Sequence, residues 1–174
     1  IYAFGEISGA HFNPAVTIAF AVAKKFSWSS VPRYIVFQTI GAFLAIALLW
    51  FLFPESQSFG HTYPAEGFPP YKAFILELIL TYFLMLVIIN VSTGSKEIGT
   101  MAAIAVGSVI LLEAMFAGPM TKASMNPIRS LAPAVISGNL QHLWLYLTAP
   151  IIGAILAVLS CKLVKDHNCC DSDC

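Results

Sequence analysis

Ser8-Gly-Ala-His-Phe-Asn-Pro-Ala-Val-Thr17 is echoed later in the chain by Thr121-Lys-Ala-Ser-Met-Asn-Pro-Ile-Arg-Ser130. Both stretches centre on Asn-Pro. Asparagine is among the strongest helix N-caps because its side-chain oxygen accepts a free backbone N–H, and proline at the first helical position gives up no hydrogen bond. Each pair therefore predicts a sharp helix start. One helix should run from Pro14 to about Val22, the other from Pro127 to about Ile136, where Ser137-Gly138 supplies a stop. Crossing a bilayer takes roughly 20 apolar residues, so neither helix spans one.

A single Asn-Pro is usually an ordinary cap or turn. Composition gives the pair its meaning. Hydrophobic residues make 58% of the chain and charged ones 10%, with a mean hydropathy of +0.80, whereas soluble domains carry about 25% charge. The chain reads as an integral membrane protein, and its net charge of zero offers no basic surface for nucleic acid. It has no initiating Met and opens on what reads as a helix end, Ile1 to Ile7, so a fragment lacking its N-terminal region is expected. The cysteines, Cys161, Cys169, Cys170 and Cys174, lie too close to the C-terminus to staple the body. Residues 166–174 hold metal-ligand and lipid-acceptor types, but their spacing fits no zinc template. They read as a cytoplasmic Cys-rich tail of reduced thiols, and no metal or cofactor is expected.

Four apolar runs are long enough to span. They cover about Pro32 to Phe53, Tyr71 to Val91, Gly99 to Ala117 and Gln141 to Val164. Between the first two, Pro54 to Pro70 reads as an irregular loop, and Ser92 to Glu97 as a polar connection. Ala117 to Ser124 reads as too polar and broken for helix. Lys24, Lys25, Arg33, Lys96, Lys162 and Lys165 share one side if each short helix re-enters and returns to its own face; Lys72, Lys122 and Arg129 share the other. The richer side is assigned to the cytoplasm.

Three spans, an odd number, separate the two Asn-Pro helices, so these enter from opposite faces, the mark of an inverted-topology repeat. A second echo supports the duplication. Gln38-Thr-Ile-Gly-Ala-Phe-Leu-Ala45 follows Asn13 at the same offset, within one residue, as Pro150-Ile-Ile-Gly-Ala-Ile-Leu-Ala157 follows Asn126. Small residues such as Gly41, Ala42, Gly153 and Ala154 let helices approach closely in lipid. One unit is then span, span, half-helix, span, with the first span and most of the second absent from the first copy.

The paired motifs, with the second reading Asn-Pro-x-Arg-Ser, strongly resemble the aquaporins, or major intrinsic proteins. Phe116-Ala-Gly-Pro-Met-Thr-Lys-Ala-Ser-Met-Asn-Pro and Ser130-Leu-Ala-Pro-Ala are similar to the nodulin-like branch and its bacterial relatives. The resemblance implies an all-α membrane fold, with an aquaporin-like inverted repeat as the channel domain over residues 1–165. Here that means four complete spans and two re-entrant half-helices. It also implies a homotetramer in the cell membrane, with one pore per subunit for small neutral solutes and water.

In such a pore each half-helix presents roughly half a positive charge at its N-terminus. Two facing N-termini repel cations, and the amides of Asn13 and Asn126 hold a passing oxygen as acceptor, which disfavours a proton wire. The pore motifs are Asn13, Pro14 and Ala15, and Asn126, Pro127 and Ile128. Irregular backbone at membrane depth is tolerable where it lines a watery pore, so carbonyls of Gly9, Ala10, His11, Thr121, Lys122 and Ala123 are candidate acceptors. The resemblance makes Arg129 the selectivity-filter arginine and pairs it with Ala114 and Ala123. Two alanines imply a wide, less polar filter, as in branch members passing glycerol, urea or undissociated metalloid acids. The alternative is a water-selective channel.

His11 matches a pore-facing histidine and is read as a neutral, lining group. Glu77 matches a buried glutamate that braces a re-entrant loop. Ile128 stands where alanine is usual and is expected to narrow or dry the pore centre, and Glu113 is expected to pair with Lys122 or face a neighbouring subunit. No enzyme is expected, because the only His and Cys grouping lies in the tail. A coupled transporter is disfavoured because neither Glu77 nor Glu113 sits in a half-helix break.

Overall fold

A computed structural model describes residues 1–55, 59–92 and 96–164. The described residues fold as helices joined by loops. A single turn, α1 (Gly5–Ser8), closes on Gly9 in the left-handed region, φ 72°. The short α2 (Pro14–Val22) follows, then α3 (Val31–Leu52), α4 (Pro70–Ser92), α5 (Lys96–Thr121), the short α6 (Pro127–Ser137) and α7 (Leu143–Val164). Four stretches are long and apolar enough to cross a membrane: Trp28–Leu52, Pro70–Ser92, Met101–Thr121 and Leu143–Val164. Three of them stand between the two short helices, the odd count that inversion requires. The Cys-rich segment 166–174 lies outside the described residues.

The core is built where α4 packs on α7 and α5, with α2 laid against α7 and α6 against α7 and α3. Ala15, Ala19, Met85, Ile89, Ala154, Ala157 and Val158 form one buried cluster, so the first short helix is held between α4 and α7. Gly153 makes the α4–α7 crossing possible. A Cβ there would stand 2.2 Å from the Leu78 carbonyl oxygen, a distance no side chain tolerates. The matching Gly41 meets nothing within 4 Å among the described residues, so of the two small-residue pairs only the second makes a tight crossing here.

One expectation is corrected. The helix before the second Asn-Pro does not stop at Ala117 but runs through Gly118 and Pro119 to Thr121. Proline withholds one N–H and tends to break a helix, yet partners from elsewhere hold the last turn. The Ala65 N–H donates to the Met120 carbonyl at 2.8 Å and the Tyr146 hydroxyl to the Thr121 carbonyl at 2.8 Å, while Lys122 N–H closes on Gly118 at 3.0 Å.

The two short helices point away from one another. Lys162, near the end of α7, donates to the carbonyl of Val22 at the end of α2, at 3.1 Å. The end of α6, capped by Gly138 at φ 72°, leads directly to the start of α7. Their C-termini therefore lie at opposite ends of α7 and their N-termini meet between.

Candidate functional site

The meeting point is a reciprocal lock. Asn13 caps its own helix through Oδ1, which accepts from Ala15 N–H at 2.9 Å, and its Nδ2 donates to the Met125 carbonyl at 2.7 Å. Asn126 does the same in mirror fashion. Its Oδ1 accepts from Ile128 and Arg129 N–H at 3.1 and 3.3 Å, and its Nδ2 donates to the Phe12 carbonyl at 2.9 Å. In each case the acceptor is the residue just before the other asparagine. Each amide group holds two hydrogens, so one binds the facing loop and one is left for whatever occupies the space beside it.

The backbone before each asparagine is unusual. Ala10 has φ 52°, and Lys122, Ala123 and Met125 have φ 67°, 43° and 54°, left-handed values that non-glycine residues adopt only when their surroundings enforce them. Hydrogen bonds supply that enforcement. On α4, Glu77 is fully buried behind the second loop and accepts from Thr121 hydroxyl (2.7 Å), Ser124 N–H (2.9 Å) and Met125 N–H (2.8 Å). On the first loop the Gln38 amide donates to the His11 carbonyl at 2.6 Å and to Thr17 Oγ1 at 3.0 Å, and the Tyr34 hydroxyl donates to the Ser8 carbonyl.

Loop residues 60–65 are stitched to the second loop and its flanks almost residue by residue. Gly60 carbonyl accepts from the Arg129 guanidinium. His61 Nε2 bonds the Asn139 carbonyl at 3.0 Å, Thr62 donates to Ser130 Oγ at 2.7 Å, and the Lys122 ammonium lies 4.9 Å over the Tyr63 ring. Lys122 is thus engaged with an aromatic ring rather than with Glu113. The Glu113 side chain is 3% exposed, with Oε2 lacking a hydrogen-bond partner.

A cavity of about 420 Å³ runs beside the lock. Gly9, Ala10, His11, Asn13, Ala114, Ala123, Asn126 and Arg129 all line it, backed by Leu84, Ile88, Val106 and Ile110 from α4 and α5. Thr121 and Lys122 do not: Thr121 is buried against Glu77 and Tyr146, and Lys122 faces outward. The carbonyls of His11 and Thr121 each accept from a side chain, Gln38 and Tyr146, which leaves Gly9, Ala10, Lys122 and Ala123 of the expected acceptors without such a bond. Ile128, 6% exposed, lines a second cavity of about 650 Å³ toward α3 and is absent from the lining of the first. Pro14, Ala15 and Pro127 are buried at the two helix starts. The His11 ring stacks on Phe20 at 4.7 Å and is flanked by Phe26 and Tyr34, its Nδ1 buried without a partner.

Sequence reasoning missed Gln38, Gly60, Thr62, Ser124 and Ser130 as parts of the site. Gln38 was within reach, since it opens the repeated octapeptide. Ser124 and Ser130 stand inside the second motif stretch but read there only as sequence markers, and Gly60 and Thr62 act through a carbonyl and a hydroxyl in a loop without pattern.

The chain and its fold have relatives among known proteins. The family model described as major intrinsic protein matches residues 1–160. The chain is 43% identical over 169 residues to aquaporin NIP1-1 of Oryza sativa subsp. japonica, covering 97% of this chain and 59% of that protein. It is 45% identical over 166 residues to nodulin-26 of Glycine max, covering 95% and 60%, so it spans rather more than half the length of these relatives. Among solved structures, the aquaglyceroporin from Plasmodium falciparum superposes with a TM-score of 0.80 at 26% identity, covering 92% of this chain and 75% of that one. With two inverted half-helices locked through their asparagines and a family match across nearly its whole length, the chain belongs to the major intrinsic proteins.

Proposed function

We propose that this chain carries the pore of a passive channel for small uncharged solutes, with glycerol and water as the principal permeants and urea and metalloid hydroxides in the same class. The reciprocal hydrogen bonds between Asn13 and Met125 and between Asn126 and Phe12 carry the reading. They place two helix N-termini against each other beside a cavity, and each brings about half a positive charge. Cations meet a barrier there. The free amide hydrogens of the two asparagines turn a passing hydroxyl so that its lone pairs face them, which breaks a file of donors along the pore.

In this reading Arg129, Ala114 and Ala123 form the filter. Arg129 stands ready to donate to solute oxygens while Gly60 holds part of its guanidinium. The two alanines leave width and little polarity, which suits glycerol. His11 lines the pore as a ring walled in by aromatics. The functional unit is a homotetramer in the cell membrane, with the Lys24, Lys25 and Lys162 end and the C-terminal tail on the cytoplasmic side.

Vesicle swelling with water, glycerol, urea and arsenite tests the proposal. Glycerol flux well above that of empty vesicles, together with a held pH gradient, is the expected result. Water flux without glycerol flux would replace it with a water-selective channel, and no flux at all would remove the channel reading.

A further inference from the structure

We infer that Thr62 is a positioning residue for the pore centre, acting through a chain of buried hydroxyls that ends on the backbone of Asn126. The inference deepens the channel reading above and rests on it for its transport consequence. Thr62, Ser130 and Ser124 are 3%, 0% and 4% exposed. Thr62 Oγ1 donates to Ser130 Oγ at 2.7 Å, Ser130 and Ser124 hydroxyls stand 2.5 Å apart, and Ser124 Oγ donates to the Asn126 carbonyl at 2.9 Å. One direction of donation, from Thr62 inward, uses each hydroxyl proton once and finishes on an acceptor. A fully satisfied buried network of this kind holds its members in one geometry, and a missing link leaves its neighbour unpaired.

Ser124 gives the chain its reach. Its N–H is already committed to Glu77 at 2.9 Å, so one residue sits between a strut from α4 and a strap from the outer loop. Of the loop's other anchors, His61 on Asn139, Ala65 on Met120 and Tyr63 under Lys122 do not reach the Asn126 backbone, and Gly60 reaches the Arg129 side chain. Two residues before Thr62, the Gly60 carbonyl holds Arg129. Releasing the Thr62 hydroxyl therefore loosens the backbone of the second asparagine and the carbonyl that aims the arginine together.

The test compares the wild-type protein in vesicles with Thr62→Val, Thr62→Ser, Ser130→Ala and the double variant Thr62→Val with Ser130→Ala. Hydrogen exchange of the Ser124, Met125, Asn126, Ile128 and Arg129 amides is read beside the glycerol-to-water permeability ratio. Thr62→Val keeps the shape and removes the donor; it should speed exchange about tenfold and shift the permeability ratio. Thr62→Ser should restore both. Ser130→Ala cuts the same chain one link further in and carries the same expectation if Thr62→Val does not fold. The double variant should exchange no faster than Ser130→Ala alone. Wild-type exchange and wild-type ratio in Thr62→Val, or effects that add in the double variant, overturn the inference. A wild-type protein that conducts nothing while Thr62→Val still exchanges faster removes the channel reading and leaves the hold of Thr62 on Asn126 standing.

Discussion

Glu77 spends both carboxylate oxygens on the second re-entrant segment, and its three donors come from three successive features of that segment: the hydroxyl of Thr121 and the N–H groups of Ser124 and Met125. Two of those partners flank residues held at positive φ, Ala123 among them at 43°. A carboxylate suits the place because it accepts everywhere and donates nowhere. Glutamine has almost the same shape but replaces one acceptor by an amide donor, which must face an N–H or O–H that is itself donating. Glu77→Gln should therefore cost about 2–3 kcal/mol, read as a lower midpoint in thermal unfolding followed by tryptophan fluorescence. An unchanged midpoint would mean that the loop is held in its strained backbone by its neighbours alone. The residues legible in the sequence are of this chemically specific kind, Asn13, Asn126, Glu77 and Arg129. Thr62 and Gly60 were not legible, because a hydroxyl or a carbonyl in an aperiodic, proline-rich loop carries no pattern that distinguishes it.

At the scale of elements, the four long helices and two short ones were readable to within a few residues, because apolar length and Asn-Pro capping are local signals. The end of α5 was not. Gly118-Pro119 reads as a stop, and only the Ala65 N–H and the Tyr146 hydroxyl, which arrive from distant parts of the chain, let the helix reach Thr121. The repeated Gly-Ala pair was readable as a helix-packing device, but its two copies differ in use. Gly153 lies against the backbone of α4 at Leu78 and Tyr82, whereas Gly41 is exposed. Gly153→Ala should accordingly force α4 and α7 apart, at a cost of about 1–3 kcal/mol or more since backbone has little room to yield. Gly41→Ala is the matched control within this chain. The measurement is the unfolding midpoint of each in detergent, and equal midpoints would show that the α4–α7 crossing absorbs a methyl group after all.

Across the whole molecule the two halves contribute unequally to the space beside the lock. The first brings Gly9, Ala10, His11 and Asn13; the second brings Ala114, Ala123, Asn126 and Arg129, together with an apolar wall from α4 and α5. The polar anchors His11, Asn13, Asn126 and Arg129 lie on the loops and at the short-helix starts, and apolar surface comes from α2 at Val16 and Phe20 as well as from α4 and α5. Ala114 is exposed and lines this cavity, so in the filter proposed above the size and polarity of its side chain would act on what passes. Ala114→His adds a ring and two nitrogens to the cavity that Arg129 also lines, narrowing the passage and offering water a hydrogen-bond partner in place of apolar contact. Glycerol flux should fall by about tenfold or more, and water flux by about twofold at most, because water needs less width and makes use of the added polar group. Both are read in one swelling assay on vesicles with equal protein content. Equal proportional losses of the two would mean that Ala114 blocks without discriminating, and the width of the channel would then have to be sought at another level of the pore.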